Sequence, residues 1–501
     1  MVLALAACSG PEPATPDLPA LPPRQERGAL PPAGVAIPTK RVTLAWTAEV
    51  RGEIEPCGCP TVPYGGFERR AAYVDQLRAQ GDPVFVLDAG EMLVKGARGA
   101  VAPDLVLRAK TVLNLSREVG LDAWAPSATD RRVADGWPLH DALGVNAGLP
   151  GSRVFERGGV RVGVIGVSGA QPGEPVSAAD LVAGVKGAIV EGGEADGWVV
   201  LSNASPAVNL AIAEGVPELG MVLATRGGDL DPPRLTGGAP ILEAPDRGRF
   251  VSVVRWVIGT APGAATLVEG GEAGGRAKAW DEALERLSLQ TGASETAERG
   301  RVQAAWEALA PLAIGRNLAI VRDRPLGSDL AAPTGTVAGT VEAFKVESIG
   351  EAQARTEMST TVGYKAAGAC TGCHTDYFAA WTLTPHAKAW QALVSRGATT
   401  NPECVGCHST AWGQPGGNAS TADVPMRTWK AVQCESCHGP LSAHVADPRA
   451  NHATPITEAT CTGCHDDANS PEFDYGKYLR RVSCVGLKGE HERAPTGGGQ
   501  P

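Results

Sequence analysis

The chain has 501 residues, enough for two or three domains with cores of their own. Hydrophobic content of 43% and charged content of 20% are globular values, and the 63 glycines and 39 prolines follow no period, which excludes a collagen-like fibre. A formal net charge of -10 without a dense basic stripe points away from nucleic acid as a partner.

Residues 1–8 read as a lipoprotein signal-like segment. Its apolar run is too short to span a bilayer. Leu5-Ala6-Ala7-Cys8 resembles a bacterial lipobox, in which the cysteine is lipidated and becomes the mature N-terminus. The alternative is a plain start with a stray cysteine. With the lipobox, Cys8 anchors the protein on the periplasmic or cell-surface side of a bacterial membrane. Residues 9–40 are Pro-rich and read as an extended tether.

From residue 41 to about 260 short apolar runs alternate with helical stretches. "RVTLAWTA", "PVFVLDAG", "VRVGVIGVS", "GWVVLSNAS", "GMVLATRGG" and "FVSVVRWVI" read as strands. In "FERRAAYVDQLRAQG", Ala71, Val74 and Leu77 share a helical face. The pattern predicts an α/β domain, with functional groups at the strand C-terminal ends. Residues 261–363 read as a helical hairpin and connector. Trp280, Leu284 and Leu287 recur at helical spacing, as do Val302, Trp306 and Leu309, and from about Asp323 no clear pattern is left.

The 12 cysteines are unevenly placed. Cys8 stands alone, Cys57 and Cys59 form a close pair, eight lie between Cys370 and Cys464, and Cys484 trails. Of the 9 histidines only His140 precedes Cys370, so metal chemistry is expected at the C-terminal end. For Cys57 and Cys59 the readings are a local disulfide, a redox or metal role, or an inert surface pair.

"CTGCH" at 370–374, "CVGCH" at 404–408, "CESCH" at 434–438 and "CTGCH" at 461–465 repeat one pattern, the c-type haem attachment motif. Two cysteines at this spacing reach the two vinyl groups of one porphyrin, and the histidine that follows lies beneath the iron. Paired CxxC units can bind zinc, but zinc gives no reason for a histidine after every second cysteine. The expected cofactors are therefore four haem c groups. They are held by Cys370/Cys373, Cys404/Cys407, Cys434/Cys437 and Cys461/Cys464, with His374, His408, His438 and His465 as proximal iron ligands. Candidate distal ligands are His386, His444 and His452, with His491 and Met426 as weaker candidates. Thr384 and Pro385 suit a helix start, which puts His386, Trp390 and Leu393 on one face.

Residues 364–482, through "ACTGCHTDYFAAWTLTPHAKAW", "CVGCHST", "VQCESCHGPLSAH" and "CTGCHDDANSPEFDYGKYL", resemble the tetrahaem cytochrome c family that accepts electrons from hydroxylamine oxidoreductase. The resemblance implies a mainly α-helical and irregular domain wrapped on its porphyrins, most irons having two histidine ligands and one keeping an open or weakly held position. Residues 483–501 read as a flexible tail.

The first domain resembles the metal-dependent phosphoesterases of the 5'-nucleotidase family through "TAEVRGEIEPCGC", "GGFERRAAYVDQLR", "LDAGEM", "LSNAS" and "EAPDRGRFVSVV". That resemblance implies an α/β metallophosphoesterase-like sandwich. The metal ligands of the family are not kept. Glu49 and Arg51 stand for its first Asp and His, Glu91 for its second Asp, and Asn203 for a His. A two-metal centre needs histidine and carboxylate ligands, and the one histidine of this region cannot supply them. The chain is therefore expected to be a lipid-anchored electron carrier with redox-protein donor and acceptor. The alternative is a reductase of a small nitrogen or sulfur oxide at a five-coordinate haem. A metal-dependent phosphoesterase is not expected.

Overall fold

The computed structural model describes residues 40–56, 63–95, 103–169, 177–225, 235–259, 263–330, 335–357, 363–395, 397–419, 428–465, 470 and 472–482. Cys8, Cys57, Cys59, Met426, Cys484 and His491 lie outside the described residues.

Two sheets form the first domain. The larger has six strands in the order β10-β11-β9-β1-β2-β3, the last being the short Ala123–Trp124, and the smaller has five in the order β4-β5-β6-β7-β8. In the larger sheet, β1 (Lys40–Thr47) pairs parallel to β2 (Val84–Asp88) and antiparallel to β9 (Phe250–Ile258). In the smaller, β5 (Val160–Val167), β6 (Gly197–Ser202), β7 (Leu219–Ala224) and β8 (Ile241–Glu243) run parallel, and β4 (Ser152–Arg157) closes one edge as an antiparallel strand.

Strand alternation sorts the side chains into layers. Val42, Leu44 and Trp46 of β1 point between the sheets, where they meet Phe85, Leu87, Val164, Leu201, Leu223 and Trp256. Trp256 dictates two glycines on the opposite sheet. A Cβ at Gly197 or Gly220 would overlap its indole ring. The outer face of the larger sheet carries α1 (Phe67–Ala79), α2 (Pro103–Val119) and a later helix, Thr336–Glu357. The outer face of the smaller sheet carries α4 (Ala178–Gly192) and α5 (Pro206–Gly215), with a short α3 (Ala128–Val133) between the two groups in the chain. The result is an αββα sandwich.

The region read as hairpin and connector holds more than that. Helices α6 (Gly271–Leu287) and α7 (Gly292–Leu309) pack together on β9 and β11 through Trp280, Leu284, Leu309 and Ile320. Buried Arg255 of β9 fixes them, donating to Thr43 Oγ1 at 2.9 Å, Asp281 at 3.2 Å and Glu285 at 2.9 Å. The stretch from Asp323 is not a connector. Residues Asn317–Pro325 form β11, which enters the larger sheet between β9 and the short β10 (Ala265–Leu267). Residues Thr336–Glu357 form α8, whose Val337, Val341 and Phe344 join the core beside α1 and α2. The sequence hid α8 because its apolar residues do not keep to one face, Val346 being exposed, and glycines interrupt the helix. Lys345 of α8 pairs with Glu55 at 2.8 Å, and at its far end the Thr356 carbonyl accepts from Gly416 N at 3.1 Å. Helix α8 thus joins the two halves of the molecule.

The C-terminal half is built from short helices, among them α9 (Thr375–Thr382), α10 (Ala389–Val394) and α11 (Pro402–His408). Its apolar cluster is small, with Trp390, Leu393 and Val405 buried and Trp412 and Trp429 packed against them. Among the described residues, no helix is long and apolar enough to cross a membrane.

At the C-terminal ends of β1 and β2, Asp88 is fully buried. It accepts from Thr47 Oγ1 at 2.7 Å and Gly90 N at 2.8 Å. Burial pushes its carboxyl up to about 7, against those hydrogen bonds and the nearby Arg70 charge. A carboxyl raised on folding gives stability that is full below its unfolded value near 3.8 and lost as pH rises toward about 7. Urea unfolding followed by far-UV circular dichroism should therefore show the parent losing stability across this window. Asp88→Asn should flatten that dependence. An unchanged slope would mean that Asp88 folds ionised.

Candidate functional site

Each CxxCH motif is bent into a helical turn. His374 N donates to the Cys370 carbonyl at 2.9 Å and His465 N to the Cys461 carbonyl at 2.8 Å. The second motif ends α11, and the third is the helix Cys434–His438. A helical turn puts residues i, i+3 and i+4 on one side, so both cysteines and the histidine of a motif face the same way. Burial pushes the Cys370 and Cys461 thiols up.

The four turns are held around a common space by buried polar side chains. Glu435, inside the third motif, accepts through Oε2 from Lys365 N at 2.7 Å and Ala366 N at 2.8 Å, and through Oε1 from Leu441 N at 2.8 Å. Its neighbour Gln433 accepts from Ala367 N at 2.6 Å and donates to the carbonyls of Thr428 and Lys430. The first and third motifs are thereby locked together. Trp381 Nε1 donates to the Val432 carbonyl at 2.8 Å, adding α9 to the frame. Sequence reasoning missed Glu435. The available signal was that "CESCH" is the one motif with a charged residue between its cysteines.

The enclosed cavity has a volume of about 2400 Å³, and all eight motif cysteines, the four motif histidines, His386 and His444 line it. A site for one small ligand holds about 300–1,000 Å³, so this space suits several large groups. Leu383 and Val445 also line it, and they are 81% and 43% exposed. Apolar side chains turned into an open space are explained by a large apolar occupant. His452 is exposed and is not part of the cavity wall.

Two pairs of histidine rings lie close together on the wall of this space. His374 and His444 have centroids 6.2 Å apart with ring planes inclined at 27°, and His386 and His465 are 6.0 Å apart at 38°. With metal–nitrogen bonds of about 2.0 Å and about 1.1 Å from nitrogen to ring centre, two imidazoles across one metal ion sit about 6.2 Å apart. Both pairs fit that spacing. Among the described residues, no second imidazole pairs in this way with His408 or His438.

The backbone sets the tautomers. His444 Nδ1 lies 2.7 Å from the Asn451 carbonyl and His408 Nδ1 2.7 Å from the Ala389 carbonyl. A carbonyl can only accept, so Nδ1 carries the proton and Nε2 keeps its lone pair for a metal. Burial, with His465 and His408 nearby, pushes His386 down, toward the neutral imidazole. The residues present fit haem c in donor type, spacing and volume.

The strand ends of the first domain hold a different arrangement. Glu49, Arg51 and Glu91 all have left-handed backbone, with φ of 51°, 54° and 53°. Their loops run side by side, Glu49 N donating to the Gly90 carbonyl and Arg51 N to the Glu91 carbonyl. The Arg51 guanidinium lies among carboxylates, 3.1 Å from Glu49, 3.5 Å from Glu91 and 3.8 Å from Asp246. Asn203 is used as a brace, with Nδ2 donating to the Ala89 and Ala125 carbonyls and Oδ1 accepting from Gly169 N. Among the described residues, no group of three or more His, Cys, Asp or Glu side chains is arranged to hold a metal ion directly.

Residues 369–439 match the family described as "Cytochrome c554 and c-prime". Over 86 residues the chain is 36% identical to cytochrome c-554 of Nitrosomonas europaea, a match covering 14% of this chain and 36% of that protein. The chain thus spans just over a third of the length of this curated relative. Solved structures similar to the chain include a 5'-nucleotidase precursor from Thermus thermophilus, at TM-score 0.41 and 16% identity, covering 62% of this chain and 60% of that one. Another is the calcineurin-like phosphoesterase YfkN from Bacillus subtilis, at TM-score 0.42 and 12% identity, covering 62% and 98%. The sequence match that names a family therefore falls in the C-terminal half, on three of the four CxxCH turns, and that family is cytochrome c554 and c-prime.

Proposed function

We propose that the protein is an electron carrier holding four haem c groups, one on each CxxCH turn. The observation that carries this reading is the single cavity onto which all four turns open, with imidazoles paired at iron-spanning distance in two places. When bound, haem c supplies reversible one-electron chemistry, tuned by axial ligands, burial and nearby charge.

The chain's own residues do three things in this scheme. The eight thiols provide covalent attachment, so the group cannot be lost on changing oxidation state. His374 with His444, and His465 with His386, would hold the irons of the first and fourth groups. The Nδ1 hydrogen bonds of His408 and His444 fix ring orientation and raise basicity at Nε2. The relative's family supports electron transfer with redox-protein donor and acceptor. The lipobox-like start supports a lipid anchor at Cys8 and a periplasmic or surface location.

Replacing His386 or His444 by Met should leave haem attachment intact, because the thioether bonds do not involve the sixth ligand. Each change should raise the midpoint potential of one component in a redox titration, since a His/Met pair raises the potential relative to two histidines. Unchanged titrations and unchanged low-spin spectra in both variants would reduce these histidines to packing residues. For the anchor, Cys8→Ala should move the protein from the membrane to the soluble fraction. A variant that still sediments with membranes would rule out the Cys8 anchor.

A further inference from the structure

The cavity is walled by both halves of the molecule. Among the described lining residues there are six Lys or Arg side chains, namely Arg51, Arg69, Lys95, Arg108, Lys345 and Lys388, and two carboxylates, Glu53 and Glu55. This excess of cations stands out in a chain whose formal net charge is -10. Five of the six cations come from the first half, from the loops at the ends of β1 and β2 and from α1, α2 and α8. In an α/β fold, strand ends are where ligands are received. Here those ends face the space between the CxxCH turns.

The cations are held in place. Arg108 donates to the Gly52 carbonyl at 3.0 Å, and its guanidinium lies 5.3 Å from the Phe344 ring centre. Arg69 donates to the Leu326 carbonyl at 3.1 Å and also to that of Pro63. Lys345 is tied to Glu55. Guanidinium and ammonium groups fixed on the wall of a partly apolar cavity bind carboxylates or other oxyanions.

Resting on the haem reading above, we infer that the strand-end face of the first domain is a carboxylate-binding wall of the cavity, where Arg69, Lys95, Arg108 and Lys345 receive haem propionates. Haem c attached through its vinyl groups carries two propionates on the opposite side of the ring. The first domain therefore completes the cofactor site, and its positive charges favour the reduced state of the nearest iron.

The test uses the full-length holo-protein with Arg108→Gln, Lys345→Gln and the double variant. Lys278→Gln serves as control, because Lys278 has a 75% exposed side chain on α6 and is not part of the wall. Haem content is measured first. A parent without covalent haem defeats the underlying reading rather than the wall. In redox titrations each wall variant should lower the midpoint of at least one component, by about tenfold in the reduction equilibrium or about 59 mV for a one-electron centre. Lys278→Gln should leave it in place, and so should Lys345→Arg, which keeps the charge. An unmoved midpoint in the double variant, with haem content and circular dichroism intact, overturns the proposal. So does an equal shift in Lys278→Gln, or a full shift in Lys345→Arg. If sulfate shifts the parent's midpoint but not that of the double variant, the wall seats a free oxyanion and the proposal also fails.

Discussion

The C-terminal half is organised around a space rather than around packed side chains. Its buried apolar cluster is small, and the frame that encloses the cavity is a set of hydrogen bonds centred on Glu435, Gln433 and Trp381. A frame of this kind needs an occupant. Backbone ordering costs about 1–2 kcal/mol per residue, and burial of apolar area normally offsets it. Here that burial is expected on the porphyrin faces. The short helices, the exposed Leu383 and the four inward-facing CxxCH turns all follow from this one constraint.

The first half solves its packing by itself. Trp256 between the sheets, Arg255 tying the sheet to α6, and the helices on both outer faces make a conventional sandwich. What is unusual is the strand-end crevice. Three residues there have strained left-handed backbone, and an arginine sits among the carboxylates. Arg51 supplies internally the positive charge that Glu49, Glu91 and Asp246 require. The crevice is thus balanced in charge, and its rim forms one wall of the neighbouring cavity.

The sequence disclosed the features whose chemistry is local. CxxCH fixes two thiols and an imidazole on one helical turn, so spacing alone carries the chemistry. The strands of the sandwich were visible because buried parallel strands read as short apolar runs. The pairing of His374 with His444 and of His465 with His386 was not legible, because it depends on contacts between segments 70 to 79 residues apart. Helix α8 was missed because its apolar residues do not keep to one face, Val346 being exposed while Val337, Val341 and Phe344 are buried, which leaves little periodic signal. Strand β11 was missed because its second half is charged, with Arg322, Asp323 and Arg324 at the open end of the sheet. The cation excess on the cavity wall was invisible because it is assembled from six separate segments, and the overall charge has the opposite sign.

The account stands on four covalent haems. Intact mass spectrometry of the protein after acid–acetone extraction, read together with a pyridine haemochrome assay, tests this directly. The expected result is a mass increased by four haem groups and a matching haem-to-protein ratio, with the colour retained by the protein. Colour lost entirely to the organic phase, or a polypeptide mass without any haem, would contradict it.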